Sequence, residues 1–154
     1  MPRAADKYVL DTNLFVDAFR EPAENAALQR FHQYFAPFEY LSAVVIQELR
    51  SGTHSARDLR KLERHVLGPF IRRNRVLTPS LRAWQASGDV LARLARSEGL
   101  SVRELSKTFG NDALLATSCW DTGMTLVTRN TRDFKRIQSV LRFRFVAPWP
   151  VAEG

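Results

Sequence analysis

Asp11, Glu48, Asp112 and Asp133 are four carboxylates spread along a 154-residue chain whose formal charge is nevertheless +7. Asp11 closes the apolar run Tyr8-Val9-Leu10, and Glu48 sits one helical turn beyond Val44. Asp112 precedes the apolar segment Ala113 to Trp120, and Asp133 falls three places after Asn130, behind Thr125-Leu126-Val127-Thr128. Several carboxylates drawn into one crevice repel one another and raise each other's pKa unless a cation neutralises them. Hard oxygen donors of this kind select Mg²⁺ or Mn²⁺ rather than zinc. The remaining charge, 23 Lys plus Arg against 16 Asp plus Glu and mostly arginine, favours nucleic acid as a partner, because the guanidinium fork matches phosphate. Each acid also has a purely local explanation. Asp11 can cap a helix, Glu48 can be a solvated helix residue, Asp112 can sit at a helix amino end, and Asn130 with Asp133 can close a capping box. Their recurrence at the ends of apolar or turn-flanked segments is what argues for a shared metal centre.

The elements that must bring them together follow from periodicity and punctuation. Residues 7–10 read as a strand and 12–19 as a helix; a second helix over 23–36 carries Leu28, Phe31, Tyr34 and Phe35 at helical spacing and stops at Pro37. A strand at 39–41 leads to Ser42, which caps a helix through Val44, Val45, Glu48 and Leu49 up to Gly52. Between 56 and 67 an apolar stripe (Leu59, Leu62, Val66) faces away from a basic one (Arg57, Arg60, Arg64), the pattern of an amphipathic helix. A strand at 75–78, a long helix at 81–96, a buried helix at 113–120 with Asp112 at its amino end, a strand at 125–128 and a helix at 131–140 follow. In the last strand Leu141, Phe143 and Phe145 alternate with Arg142 and Arg144. Strands alternating with helices predict an α/β architecture, a parallel sheet of about five strands covered on both faces. Ligands bind such sheets beyond the carboxyl ends of the strands, near a switch in strand order. Asp11, Asn130 and Asp133 belong to that rim, and Glu48 and Asp112, near helix starts, face the same crevice.

Composition bounds the rest. The length and apolar content fit one domain over 1–154. The single Cys119 excludes an intrachain disulfide and a multi-cysteine zinc site, and it reads as core within the buried helix. The opening Met-Pro-Arg-Ala-Ala-Asp lacks the apolar stretch of a secretory signal, which points to the cytoplasm, and no run approaches the roughly 18 to 20 apolar residues that span a bilayer. His32, His54 and His65 have no metal-site spacing to one another; Trp84 and Trp120 read as core, and Trp149, bracketed by prolines, as a contact to a partner or subunit. A haloacid-dehalogenase phosphatase would need an acid two places after Asp11, where Asn13 stands, and a receiver-type pocket would need neighbouring acids and a later lysine.

Four segments in this order carry a resemblance: Val9-Leu10-Asp11-Thr12-Asn13, Leu41-Ser42-Ala43-Val44-Val45-Ile46-Gln47-Glu48-Leu49, Asn111-Asp112-Ala113-Leu114-Leu115-Ala116, and Thr125-Leu126-Val127-Thr128-Arg129-Asn130-Thr131-Arg132-Asp133-Phe134. Together they resemble the PIN-domain nucleases, most closely the VapC-like ribonuclease toxins of toxin–antitoxin pairs. The resemblance implies a three-layer fold with a central, mostly parallel sheet, cleavage of RNA dependent on Mg²⁺ or Mn²⁺, and a metal site of Asp11, Glu48 and Asp112. Many PIN domains carry a fourth acid where this chain has Asn130; others supply it a few residues later, the role expected here of Asp133, acting through a water. Asn130 then orients substrate or water, and Asn13, Ser42 and Thr128 resemble the family's polar second layer. Arg129 and Arg132, beside the acids, are the expected RNA contacts. The resemblance also implies a cognate antitoxin over the acidic crevice and a homodimer. Two alternatives stay open: a catalytically impaired PIN-fold binding module, on account of Asn130, and a non-toxin RNA-processing nuclease.

Overall fold

Near-continuous apolar strands of two to four residues are what a parallel sheet buried on both faces requires. In the computed structural model, which describes residues 6–150, the strands are β1 (Tyr8–Leu10), β2 (Glu39–Ser42), β3 (Val76–Leu77), β4 (Thr125–Val127) and β5 (Arg144–Val146); β1 and β4 are buried throughout, and β5 is exposed at Arg144 and Val146. The opening segment read for a leader lies, through residue 5, outside the described residues. Between the strands run α1 (Thr12–Arg20), α2 (Pro22–Phe35), α3 (Ala43–Ser51), α4 (Ala56–Leu62), α5 (Gly68–Arg72), α6 (Leu81–Ser97), α7 (Lys107–Thr122) and α8 (Thr131–Gln138). Every strand pair is parallel, in the order β3-β2-β1-β4-β5. The chain winds outward from β1 to β3, then crosses back to β4 and β5 on the other side. Right-handed crossovers therefore put α1 to α5 on one face and α6 to α8 on the other, giving the expected three-layer α/β fold. Strand order reverses between β1 and β4, so the ends of those two strands open the crevice.

Val9, Leu10, Leu41, Leu126 and Val127 have no exposed surface, and neither do Phe134 and Ile137 on α8. Phe134 packs against Phe143 and Phe145, each with ring centroids 6.1 Å away, so it fastens α8 to the segment leading into β5. Truncating it removes both transfer energy and packing. Phe134→Ala should cost about 3–5 kcal/mol, read in a thermal melt as a fall on the order of 10 °C; a shift under about 2 °C would contradict the packing described.

Several expectations need correction. α7 begins at Lys107, not near 113, because Ser106 caps it with a hydroxyl that accepts from the Phe109 amide at 3.0 Å. Asp112 is therefore more than one turn inside a helix, and Glu48 lies in the second half of α3 rather than near its start. The amphipathic helix does not stop at residue 67: α4 passes through a π-helical turn at Glu63–Leu67 into α5, where Pro69 falls at a position that has no need of an N–H. Trp84 is not core; it is 57% exposed on α6, beside the inward-facing Ala83 and Ser87. Trp149 lies on its own chain, 5.5 Å from Phe31 of α2. Among the described residues no helix is long and apolar enough to cross a membrane.

Candidate metal centre

The first acid stands one residue past β1, where its backbone N–H still donates to the Val127 carbonyl at 3.0 Å and extends the ladder toward β4. Its side chain is 4% exposed. Asp11 Oδ1 accepts from the Thr12 amide at 2.8 Å and so caps α1; Oδ2 accepts from the hydroxyl of the fully buried Thr128 at 2.7 Å. That same hydroxyl oxygen accepts from the Asn130 amide N–H at 3.0 Å, which stitches the exits of β1 and β4 together. Thr12 turns its hydroxyl the other way and donates to Glu48 Oε1 at 2.8 Å, holding the α3 carboxylate at this end of the sheet.

Asn130 joins the remaining two acids. Its Nδ2 lies 3.4 Å from Asp112 Oδ2 and 3.3 Å from Asp133 Oδ2, while its Oδ1 accepts from the Asp133 backbone N–H at 3.3 Å and caps α8. These bonds are long and individually weak, but they converge on one amide. Asp133 Oδ1 accepts from Arg136 Nη1 at 3.0 Å, and Arg136 also grips Glu98 through Nε at 3.0 Å and Nη2 at 2.8 Å.

Burial raises the Asp11 carboxyl above the ordinary carboxylate range, against the lowering effect of the Thr128 hydroxyl and the Thr12 amide; the charge of Glu48 raises it further. Asp112, 5% exposed, is pushed up to about 8, first by burial and then by the charges of Asp11, Glu48 and Asp133. The charges of Asp11, Glu48 and Asp133 thus all reach Asp112 across the crevice. The donor set suits a hard divalent cation: carboxylate oxygens on three separate elements, with charge left for an ion to offset. It is not a ready-made cage. Among the described residues no three His, Cys, Asp or Glu side chains stand poised around one ion; Thr128 holds an Asp11 oxygen and Asn130 an Asp112 oxygen.

Other expected site residues stand differently. Asn13 is exposed on the first turn of α1, and the buried Ser42 spends its hydroxyl on capping α3, accepting from the Val44 amide at 3.1 Å. Arg129 is tied to Asp17 at 2.7 Å and to Glu24, whereas Arg132 is exposed. His32 pairs with Glu39 at 2.6 Å, and His54 and His65 are exposed. Cys119 is buried and its thiol is pushed up to about 12, chiefly by burial, as befits core rather than a nucleophile. Two contributors went unread in the sequence: Thr12, and the pair Arg136 with Glu98. The spacing of Arg136, one turn after Asp133, was the available signal.

Two grooves open near the residues that carry the acids, the first with Glu48 in its wall. One of about 460 Å³ is lined by Val16, Phe19, Glu48, Asp58 and Lys61; another of about 560 Å³ is lined by Gln47, Trp84, Lys107 and Asn111, next to Asp112. Thr128→Val removes the hydroxyl that orients Asp11 and keeps the shape of the core. Losing a partner of this outer kind costs about 10–100-fold, so any activity that depends on Asp11 should fall by that much in a steady-state assay; the stranded Asp11 oxygen and Asn130 N–H should also cost about 1–3 kcal/mol of stability, and an unchanged rate would deny Thr128 this role.

The family described as PIN domain matches residues 8–140. Among solved structures the chain is similar to DNA-bound VapBC from Salmonella typhimurium, at 26% identity and a TM-score of 0.69, covering 92% of this chain and 98% of that one. VapBC2 from Rickettsia felis, bound to a fragment of promoter DNA, is similar at 24% identity and a TM-score of 0.63, covering 93% and 98%. FitAcB from Neisseria gonorrhoeae is similar at 20% identity and a TM-score of 0.65, covering 94% and 99%. No curated protein matches the chain.

Proposed function

This chain belongs to the PIN-domain family, whose members are generally metal-dependent nucleases, and from that premise we propose that it is a divalent-metal-dependent endoribonuclease, the toxin of a toxin–antitoxin pair. The observation that carries the reading is the convergence of Asp11, Glu48, Asp112 and Asp133 at the β1/β4 switch, with Asp112 driven up first by burial and then by its neighbours' charges. Asp11, Glu48 and Asp112 would hold Mg²⁺ or Mn²⁺, with Asp133 acting through a water. When bound, such an ion supplies Lewis-acid polarisation of a phosphodiester and acidifies water at neutral pH.

The chain's own residues do the rest. Thr128 and the Thr12 amide fix Asp11 in a single orientation, and Thr12 aligns Glu48 beside it. Asn130 presents its amide between Asp112 and Asp133, where a neutral group can orient substrate or water without adding charge. Arg132 is the freer phosphate contact; Arg129 reaches substrate only by loosening its pairs with Asp17 and Glu24. Ser42 and Asn13 act more remotely, the first by aiming α3 and the second from the rim. A single strand of RNA would run between the two grooves, past Glu48 on one side and Asn111 on the other.

The similarity to VapBC supports a cognate antitoxin as partner; the proposal also takes the protein to be a homodimer of the cytoplasm, folded as one domain over 1–154. A second reading is favoured by one observation. Because Asn130 already donates to Asp112 and Asp133, a PIN fold that binds nucleic acid or protein without cutting is compatible with the site. Cleavage of RNA by the purified protein separates the two. Products should appear with Mg²⁺ or Mn²⁺, vanish with chelator and survive His65→Ala, and expression should arrest growth unless the neighbouring antitoxin gene is present. No cleavage with either ion would favour the binding module.

A further inference from the structure

We propose that Arg136 is a positioning residue for this centre: it holds Asp133 by one oxygen, which keeps the Asn130 amide between Asp133 and Asp112 and keeps Asp133 from binding an ion directly. The inference rests on the nuclease reading above. Its basis is a relay that runs from the surface to the core without a break. Glu98 at the end of α6 takes two bonds from the Arg136 fork, at 3.0 and 2.8 Å. The guanidinium lies over the Phe109 ring of α7, 4.3 Å from its centroid, so its plane is set from two neighbouring helices. Nη1 then donates to Asp133 Oδ1 at 3.0 Å, Asn130 Nδ2 donates to Asp133 Oδ2 at 3.3 Å, and the same Nδ2 reaches Asp112 Oδ2 at 3.4 Å.

Both oxygens of Asp133 are thus engaged, one of them by a cation. A carboxylate so neutralised attracts a dication weakly, whereas Asp11 and Asp112 are held by a neutral hydroxyl and neutral amides. Arg136 thereby sorts the acids: three for the ion, one for the amide. Lysine could supply the charge but not the fork that grips Glu98 and Asp133 at once. The rival account is that Arg136 only ties α8 to α6, and it predicts a loss of stability with no change at the ion.

Manganese titration by calorimetry, on full-length protein, tells them apart. Arg136→Met keeps the stem over Phe109 and frees Asp133. It should bind Mn²⁺ about tenfold more tightly or take up a second ion, while kcat on RNA falls about 10–100-fold with KM changed much less. Arg136→Lys should return the affinity to the wild-type value and only part of kcat. Glu98→Gln, exposed and one step further out, gives the same direction with a smaller shift if Arg136→Met fails to fold. Wild-type affinity and stoichiometry in Arg136→Met, or in Glu98→Gln where the first is unfolded, would assign Arg136 to structure alone and overturn the proposal. Wild-type protein that neither takes up Mn²⁺ nor cleaves RNA would overturn the nuclease reading, and this inference with it.

Discussion

Asp11→Asn should yield a folded protein whose RNA cleavage is reduced by more than about 100-fold, beyond the 10–100-fold expected of residues that only orient an ion's ligands. The substitution preserves shape and removes the charge at the point where β1 and β4 meet. An amide can still accept from either the Thr128 hydroxyl or the Thr12 N–H but not from both, because one of its two heads is now a donor. Some stability is lost there and some is regained by removing a buried charge. The melting temperature is accordingly expected to move little while activity collapses. Cleavage assayed at saturating Mg²⁺, alongside growth on expression, checks this; activity within about tenfold of wild type would remove Asp11 from the centre.

Asp112→Asn is expected to inactivate the protein and, without metal, to stabilise it above neutral pH. The sign follows from linkage. The folded-state carboxyl is raised from 3.8 to about 8, so between those values the folded chain holds a proton that the unfolded chain has released. Stability from this group is complete below the lower value and is lost as pH rises through the upper one, at up to about 1.4 kcal/mol per pH unit. Asparagine stays neutral at every pH and keeps an oxygen for the Asn130 amide. Metal-free Asp112→Asn should therefore melt several degrees above wild type at pH 8 and together with it near pH 4, at about 2–4 °C per kcal/mol. Mg²⁺ should close the gap at pH 8 by stabilising wild type only. Identical melting curves at both pH values would mean that Asp112 carries no excess charge.

How far the sequence led differs from residue to residue, for physical reasons. Asp11 and Thr128 were legible because each follows a short, mostly apolar run, the signature of a strand buried on both faces, and strand exits are where polar side chains must end up. The depth of Asp112 was not. Lys107-Thr-Phe-Gly110 reads as loop, since Gly110 weakens helix propensity and the residues around it are polar; tertiary packing and the Ser106 cap override that. Trp84 misled because aromatic residues are usually buried, although it sits one place off the inward stripe of α6. The Asp133 contacts needed three dimensions: helical spacing offers Arg136 as a neighbour, but Glu98 lies far off along the chain and meets it only once α6 and α8 pack.

The placement of Asp112 within α7 carries a wider consequence. Cys119 follows two turns later on the same side of the rod, with Ala113 and Ala116 fully buried between them, so the Asp112 carboxyl and a run of core residues travel on one helix. A substitution that shifts this rod by a fraction of an ångström displaces the acid with it. Lineages of this protein are thus constrained to alter the interior and the chemistry in concert, and drift in the oily residues of α7 should leave its trace as changed turnover before it appears as lost stability.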